Sequence, residues 1–281
     1  MPGKNIIGGQ AVIEGVLMKN ENKIAIAVRK PNGKIKIKKE LLREPSVQLL
    51  KWPFIRGFRI LVETLIIGLK ALTYSANEAE GKEENKMSKK EISLIMFIST
   101  FLAVGVFLII PFFLTKWITK EYNLTFNLID GIIRIILFVS YVLIISTMGD
   151  VKRLFQYHGA EHMVVNCYEK GEPLTVRNVK KCPTFHKRCG TSFIMIVLII
   201  AIITFSLITP KTWAMRLLSR IILIPLIAGI SYEILRITPK IKNNLLSTII
   251  TWPGKMIQKI TTARPDNKMI EVAIKALISV I

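Results

Sequence analysis

The sequence predicts an α-helical polytopic membrane protein, with about four transmembrane helices and a small α+β cytosolic cap. Three observations carry this. The chain is 51% hydrophobic with a mean hydropathy of +0.44 over 281 residues, more apolar than a soluble enzyme of that length. Its formal net charge is nonetheless +21, from 40 Lys and Arg against 19 Asp and Glu, the pattern of apolar spans joined by basic cytosolic loops. All three histidines (His158, His162, His186) and all three cysteines (Cys167, Cys182, Cys189) fall within residues 157–192, a polar window flanked by apolar stretches.

Residues 1–57 read as a β-rich cytosolic unit that runs into the start of an interfacial helix. The alternation in KIAIAVRK (23–30) and KIKIKK (34–39) is the period of a half-buried strand. Between them Asn32-Gly33 predicts a type I′ hairpin turn, since both residues tolerate positive φ. Upstream, IIGGQAVIEGV (6–16) reads as one short apolar strand interrupted by Gln10 and Glu14. Glu14 is either a solvent-facing strand residue or a carboxylate delivered to a site. The polar, basic character of residues 1–57 predicts no cleavable signal peptide.

Residues 58–91 continue as an amphipathic helix and a charged linker. Trp52-Pro53 marks the helix start, because proline fits a first turn. Arg56, Arg59, Glu63 and Lys70 make the helix too charged for a lipid-facing span. It is either a helix lying in the cytosolic interface or a core helix of the cap.

Four spans follow by length, since about 20 apolar residues cross the hydrocarbon core. They are Ile92–Leu114 and Leu128–Met148 within residues 92–148, and Phe193–Thr209 and Leu217–Ile237 within 193–237, the last two closed by Pro210 and Pro239. Residues 149–192 carry eight basic residues (Lys152, Arg153, Lys170, Arg177, Lys180, Lys181, Lys187, Arg188) and residues 1–57 carry twelve, whereas residues 115–127 carry only Lys116 and Lys120. By the positive-inside rule the two termini and the 149–192 module are cytosolic, at a bacterial plasma membrane. Thiols there stay reduced, so disulfides are not expected. Within the spans, Asp130 and Arg134 stand four apart and neutralise each other, Arg220 snorkels outward, and Glu233 either pairs with Arg236 or reaches the His/Cys module. Residues 238–281 form a cytosolic tail, with Trp252-Pro253-Gly254 as a turn or interface anchor and an amphipathic helix over 267–281.

The chemistry lies in the His/Cys module. His158 and His162 are four apart, on one face of a helix, and can chelate one metal ion with Glu161 beside the second ligand. H-x-x-E-H is the order of the inverted zincins, in which the glutamate activates water. Gly159 weakens a helix there, so His158 is expected at or just before a helix running from Ala160 to Glu169. His186 and Cys189 add two ligands at the mouth of the third span, whose N-cap is expected at Thr191 or Ser192. Zn²⁺, or another divalent transition metal, suits the mixed set, with Cys189 or Glu233 as fourth ligand and Glu161 as general base. Cys167 and Cys182 lack matched partners and read as packing residues. Gln10, Glu14, Arg188 and Arg236 are the further binding candidates. The competing reading is a polar loop whose histidines only stabilise helix ends.

GGQAVIEGV (8–16), IRG (55–57), HGAEH (158–162), HKRCGTSF (186–193), SYEILR (231–236) and TTARP (261–265) together resemble the YqhQ-like family of bacterial membrane proteins. That family is a domain of unknown function carrying the label of a predicted metal-dependent enzyme. The resemblance implies metal dependence at His158, Glu161, His162 and His186, and implies no substrate.

Two functions follow as expectations. The first is a membrane-embedded metal-dependent enzyme, a hydrolase acting at the cytosolic membrane face on lipids or peptides. The alternative is a non-enzymatic biogenesis factor or adaptor that docks its basic face on the ribosome or translocon. Membrane lipids are expected partners in both, a homo-oligomer is compatible with both, and specific DNA binding is not expected.

Overall fold

A computed structural model describes residues 7–42, 48, 52–81, 89–121, 123–208, 212–238, 241 and 244–281. Four strands, β1 (Ile7–Val12), β2 (Gly15–Asn20), β3 (Lys23–Arg29) and β4 (Ile35–Leu41), form an antiparallel sheet in the order β1-β2-β3-β4. The stretch expected to be one strand over 6–16 is therefore a hairpin. Ile13 and Glu14 make a two-residue turn in which Val12 pairs with Gly15, and Glu14 takes a left-handed φ of 52°. No Asn-Gly pair announces that turn. The 30–34 turn also differs from expectation. Gly33 N–H donates to the Lys30 carbonyl and only Gly33 has positive φ (79°). Pro31 and Asn32 thus occupy the centre of a type I turn, where the fixed φ of proline fits, and Gly33 supplies the left-handed residue after it.

β3, expected to be half-buried, is buried on both faces, as is β2, because helices cover both sides of the sheet, whereas β4, expected to be half-buried too, is almost wholly exposed. On one side Val12, Leu17, Ile24, Ile26 and Val28 pack against Ala71 of α1 (Ile55–Glu80). On the other, Val16, Met18, Ala25 and Ala27 join a core with α5 (Gly149–Lys170) and α11 (Asn267–Ile278). α11 is more than an amphipathic surface helix: Met269, Ile270, Val272, Ala273, Ile274, Ala276 and Leu277 are all buried. α1 begins at Ile55, with Phe54 rather than Trp52-Pro53 at its N-cap. Its first turn lies on α9 (Ile224–Ile237), where a Cβ on Gly57 would stand 3.0 Å from Gly229 Cα. Residues 82–88 of the charged linker, Pro210 and Pro239 lie outside the described residues.

Three helical stretches are long and apolar enough to cross a membrane: Lys90–Ile118, Leu124–Ser146 and Gly190–Leu207. A fourth is a broken one, Trp213–Ile222 plus Ile224–Ile237, bent by 45°. Pro225, at the first turn of the second piece, lacks the N–H that would continue the helix. The first stretch is α2 (Lys89–Val104), a π-helical turn (Gly105–Ile109) and α3 (Ile110–Ile118); the others are α4 (Leu124–Ser146), α7 (Gly190–Leu207), α8 (Trp213–Ile222) and α9.

The expected Asp130–Arg134 pair forms at 2.8 Å, but it is part of a larger buried group. Arg220 does not snorkel: it is 2% exposed and donates to Asp130 Oδ1 at 2.8 Å. Arg134 also donates to the carbonyls of Phe107 and Leu108, which belong to the π-helical turn. A π-turn leaves carbonyls off the regular ladder, and the guanidinium takes them up. In α10 (Asn244–Thr261) the stretch 252–254, expected as a turn or an interface anchor, is not a turn but continuous helix with Pro253 inside it. Its Gly254 packs directly on α7, where a Cβ would meet Ser192 Oγ at 2.2 Å.

Candidate metal centre

α5 carries the histidines, and it is longer than the sequence suggests. It runs unbroken through Gly159, so His158 sits in its middle rather than before its start. The glycine answers a packing demand: a Cβ there would stand 2.0 Å from the Ala263 carbonyl oxygen. The TTARP loop lies against α5 at that point, and Ala263 N–H donates to the Phe155 carbonyl at 3.0 Å.

The same approach orients His158. Its Nδ1 lies 2.8 Å from the Thr261 carbonyl and its Nε2 lies 3.2 Å from Cys189 Sγ. His162, one turn on and 1% exposed, directs Nδ1 to the Thr184 carbonyl. A carbonyl can only accept, so on both imidazoles Nδ1 carries a proton, which in the neutral ring leaves the lone pair on Nε2. His158, His162 and Cys189 each offer one ligand atom, all within 4.8 Å of one another. Burial pushes His162 down, against the raising effect of its hydrogen bond with Cys189.

Cys189 is itself the N-cap of α7, a place expected for Thr191 or Ser192. Its Sγ accepts from Thr191 N–H, and Thr191 Oγ1 lies 3.1 Å away. Ser192 is turned instead to Gln258 of α10, whose Nε2 donates to Ser192 Oγ at 2.8 Å. Gln258 also holds the His186 backbone, accepting from its N–H at 3.0 Å and donating to its carbonyl at 3.1 Å. Sequence reasoning missed this brace, because Gln258 shares its face of α10 with other small or polar residues, Ser247, Gly254 and Thr261, and does not stand out there.

Glu161 is buried beside His162, with Oε2 3.5 Å from Nε2 of that ring. Burial pushes its carboxyl up, against the lowering effect of His158 and His186. Above it lies Gly9 of β1, where a Cβ would stand 2.6 Å from Glu161 Cγ.

Other candidates lie elsewhere. His186 is outside the three-ligand group: its ring centroid is 5.8 Å from that of His162, and its Nε2 faces Glu169 at 3.4 Å. Glu169 also accepts from Arg188. Glu233 is not a ligand in this arrangement, because Arg56 holds it with two hydrogen bonds, at 2.7 and 2.6 Å. Arg236 stands 3.9 Å from the same carboxylate. Glu14 is a half-buried turn residue and does not lie at the histidines. It accepts from Arg153 through both oxygens and from Tyr157 Oη at 3.2 Å, which raises the Arg153 guanidinium. The Gln10 side chain lies on Gly68 of α1, which has no room for a Cβ. Cys167 and Cys182 belong to the hydrophobic core, and burial, followed by the neighbouring Cys182, pushes the Cys167 thiol up to about 11.

A divalent transition metal fits this donor set. Its three ligand atoms lie within 4.8 Å of one another, and each ring is steered by a carbonyl on its Nδ1, as metal-ligating histidines are.

Residues 52–281 match the model of DUF1385, a protein family of unknown function. The chain is 33% identical to "Uncharacterized protein YqhQ" of Bacillus subtilis (strain 168) over 286 residues, covering 96% of this chain and 90% of the relative. No solved structure matches. The chain belongs to the DUF1385 family.

Proposed function

We propose that this DUF1385 chain is a membrane-embedded, metal-dependent hydrolase whose centre is His158, His162 and Cys189, with Glu161 as the proton-carrying group. The observation that carries the reading is the convergence of three ligand atoms within 4.8 Å, on two rings already turned by Thr261 and Thr184. A transition metal bound by these residues supplies Lewis acidity toward the substrate's electrophilic atom.

The chain's own groups do the rest. His158 and His162 hold a fixed orientation because their Nδ1–H groups are tied to backbone. Glu161 accepts a proton from the attacking water and returns it to the leaving group, so the carboxyl ends as it began. Glu161 is buried, which strengthens the local electrostatics.

Membrane insertion is part of the same reading. Its support is the exposure of large apolar side chains along the three apolar stretches, with Phe97 and Phe101 each 71% and Trp117 85% exposed. Basic residues in 1–57 and 149–192 favour a cytosolic cap.

Elemental analysis of the purified chain tests the metal. About one transition metal per chain is expected, lost in His158→Ala and His162→Ala. A parent chain that copurifies with none, and takes up none on adding Zn²⁺, removes this reading.

A further inference from the structure

The substrate of a buried centre must reach it along some surface, and β1 offers one. The pairing register fixes which way its backbone points. Val12 pairs with Gly15 across the two-residue turn, so Val12, Gln10 and Gly8 exchange hydrogen bonds with Gly15, Leu17 and Lys19 of β2. Two contacts agree with that phase. Arg29 N–H donates to the Glu14 carbonyl on the β3 side of the hairpin, and Ile13 N–H points away from the sheet to Ser75 Oγ of α1 at 3.1 Å. It follows that the N–H and C=O groups of Gly9 and Ala11 point out of the sheet's free edge. Among the described residues none of these four groups has a hydrogen-bond partner. Gly8 and Gly9 are exposed, and a Cβ on Gly8 would meet nothing within 4 Å.

This open edge adjoins the proposed proton carrier. Glu161 Oε1 lies 2.8 Å from where a Gly9 Cβ would stand, and a strand added to β1 would lie about 4.8 Å to its side. We infer that the substrate is a polypeptide, bound as an extended segment that adds a fifth strand to the sheet along Gly8–Ala11. Its backbone pairs with Gly9 and Ala11, which brings one of its peptide bonds beside Glu161. Edge pairing of this kind draws affinity from main-chain hydrogen bonds and asks little of sequence. Glycine at position 9 is required because a side chain there would displace Glu161. This narrows the proposed hydrolase to a peptidase and rests on that reading for its chemistry, though not for its binding.

The test is fluorescence anisotropy with the full chain in detergent and a labelled ten-residue peptide of alternating valine and threonine. Saturable binding is expected, weakened at least tenfold when alternate amides of the peptide are N-methylated on the pairing edge. Ala11→Pro, which deletes an outward N–H and no β1–β2 bond, should weaken it by a similar factor. The N-methyl comparison uses the parent chain and so is independent of how the proline variant folds. Equal binding of methylated and unmethylated peptide, or no binding, overturns the inference. So does a dimer of the chain that Ala11→Pro dissociates, which would make the edge a contact between two copies. Metal content of the same sample separates the two readings. A metal-loaded chain that binds no peptide sinks the docking alone; a metal-free chain that binds it sinks the metal centre alone.

Discussion

Gly159 of α5 lies against Ala263 so closely that a Cβ on the glycine would stand 2.0 Å from the alanine's carbonyl oxygen. That contact seats the segment carrying Thr261, whose carbonyl fixes the His158 ring. Gly159→Ala must therefore push the 261–265 loop off the helix. An unfolding cost of about 1–3 kcal/mol is expected from overpacking, together with weaker metal binding, because His158 loses its steering group. Thermal unfolding and metal titration of the same variant check both. A variant as stable as the parent, with unchanged metal affinity, would mean that the 261–265 loop does not rest on α5.

The ligand set can be separated by two variants. Cys189→Ala removes the sulfur on which both histidines converge and should abolish stoichiometric metal. His186→Ala should leave it close to one per chain, since His186 faces Glu169 and not the three-ligand group. The sequence pattern predicts the reverse emphasis, with His186 as a ligand and Cys189 sharing fourth place with Glu233. Elemental analysis of the two variants decides between them.

Much of the arrangement was legible in the linear order, and the misses have physical causes. Apolar length alone marked the four candidate spans to within a few residues, because a run of that composition admits few other structures. The i, i+4 spacing of His158 and His162 fixed their common face for the same reason. What composition does not encode is which partner a polar group finds across the fold. Glu233 reads as a neighbour of Arg236 because they are three apart, yet Arg56, 177 positions away, offers a two-point fit. Gly159 reads as a helix breaker because propensity counts only local entropy, whereas Ala263 sets the requirement. The Ile13–Glu14 turn stayed hidden because glutamate is a rare occupant of left-handed backbone, tolerated here while Arg153 and Tyr157 hold its carboxylate.

Glu78 ties α1 to the sheet. Its carboxylate meets Lys36 of β4 at 2.8 Å and Lys30 at 3.3 Å. Burial raises its carboxyl, but the two lysines outweigh that and hold it below its ordinary value of 4.5. A depressed folded-state value means the stabilisation is present above pH 4.5 and is lost as pH falls through the folded value. Both lysines are partly exposed, so the effect is about 0.5–1 kcal/mol. Glu78→Gln should flatten the fall in unfolding temperature between about pH 5 and pH 3 relative to the parent. Identical slopes for parent and variant would show that the pair contributes nothing measurable.

Asp130 is the harder case, because it is 2% exposed and serves two arginines at once. Arg134 keeps other acceptors, the Phe107 and Leu108 carbonyls, and Arg220 lies over the rings of Phe112 and Phe205. Neither set of contacts carries a full negative charge. Asp130→Asn keeps the shape and removes the charge, leaving two buried guanidinium groups with no carboxylate among the described residues within bonding distance. Breaking a buried pair from one side costs about 3–5 kcal/mol, which for a chain of this size lowers the unfolding temperature by roughly 10 °C. Arg220→Met added to Asp130→Asn removes one of the stranded charges and should recover part of that loss. Thermal unfolding of the parent and the two variants in one detergent decides it. An Asp130→Asn chain that melts with the parent would mean water or lipid headgroups reach these arginines, and that α4 and α8 do not close over them.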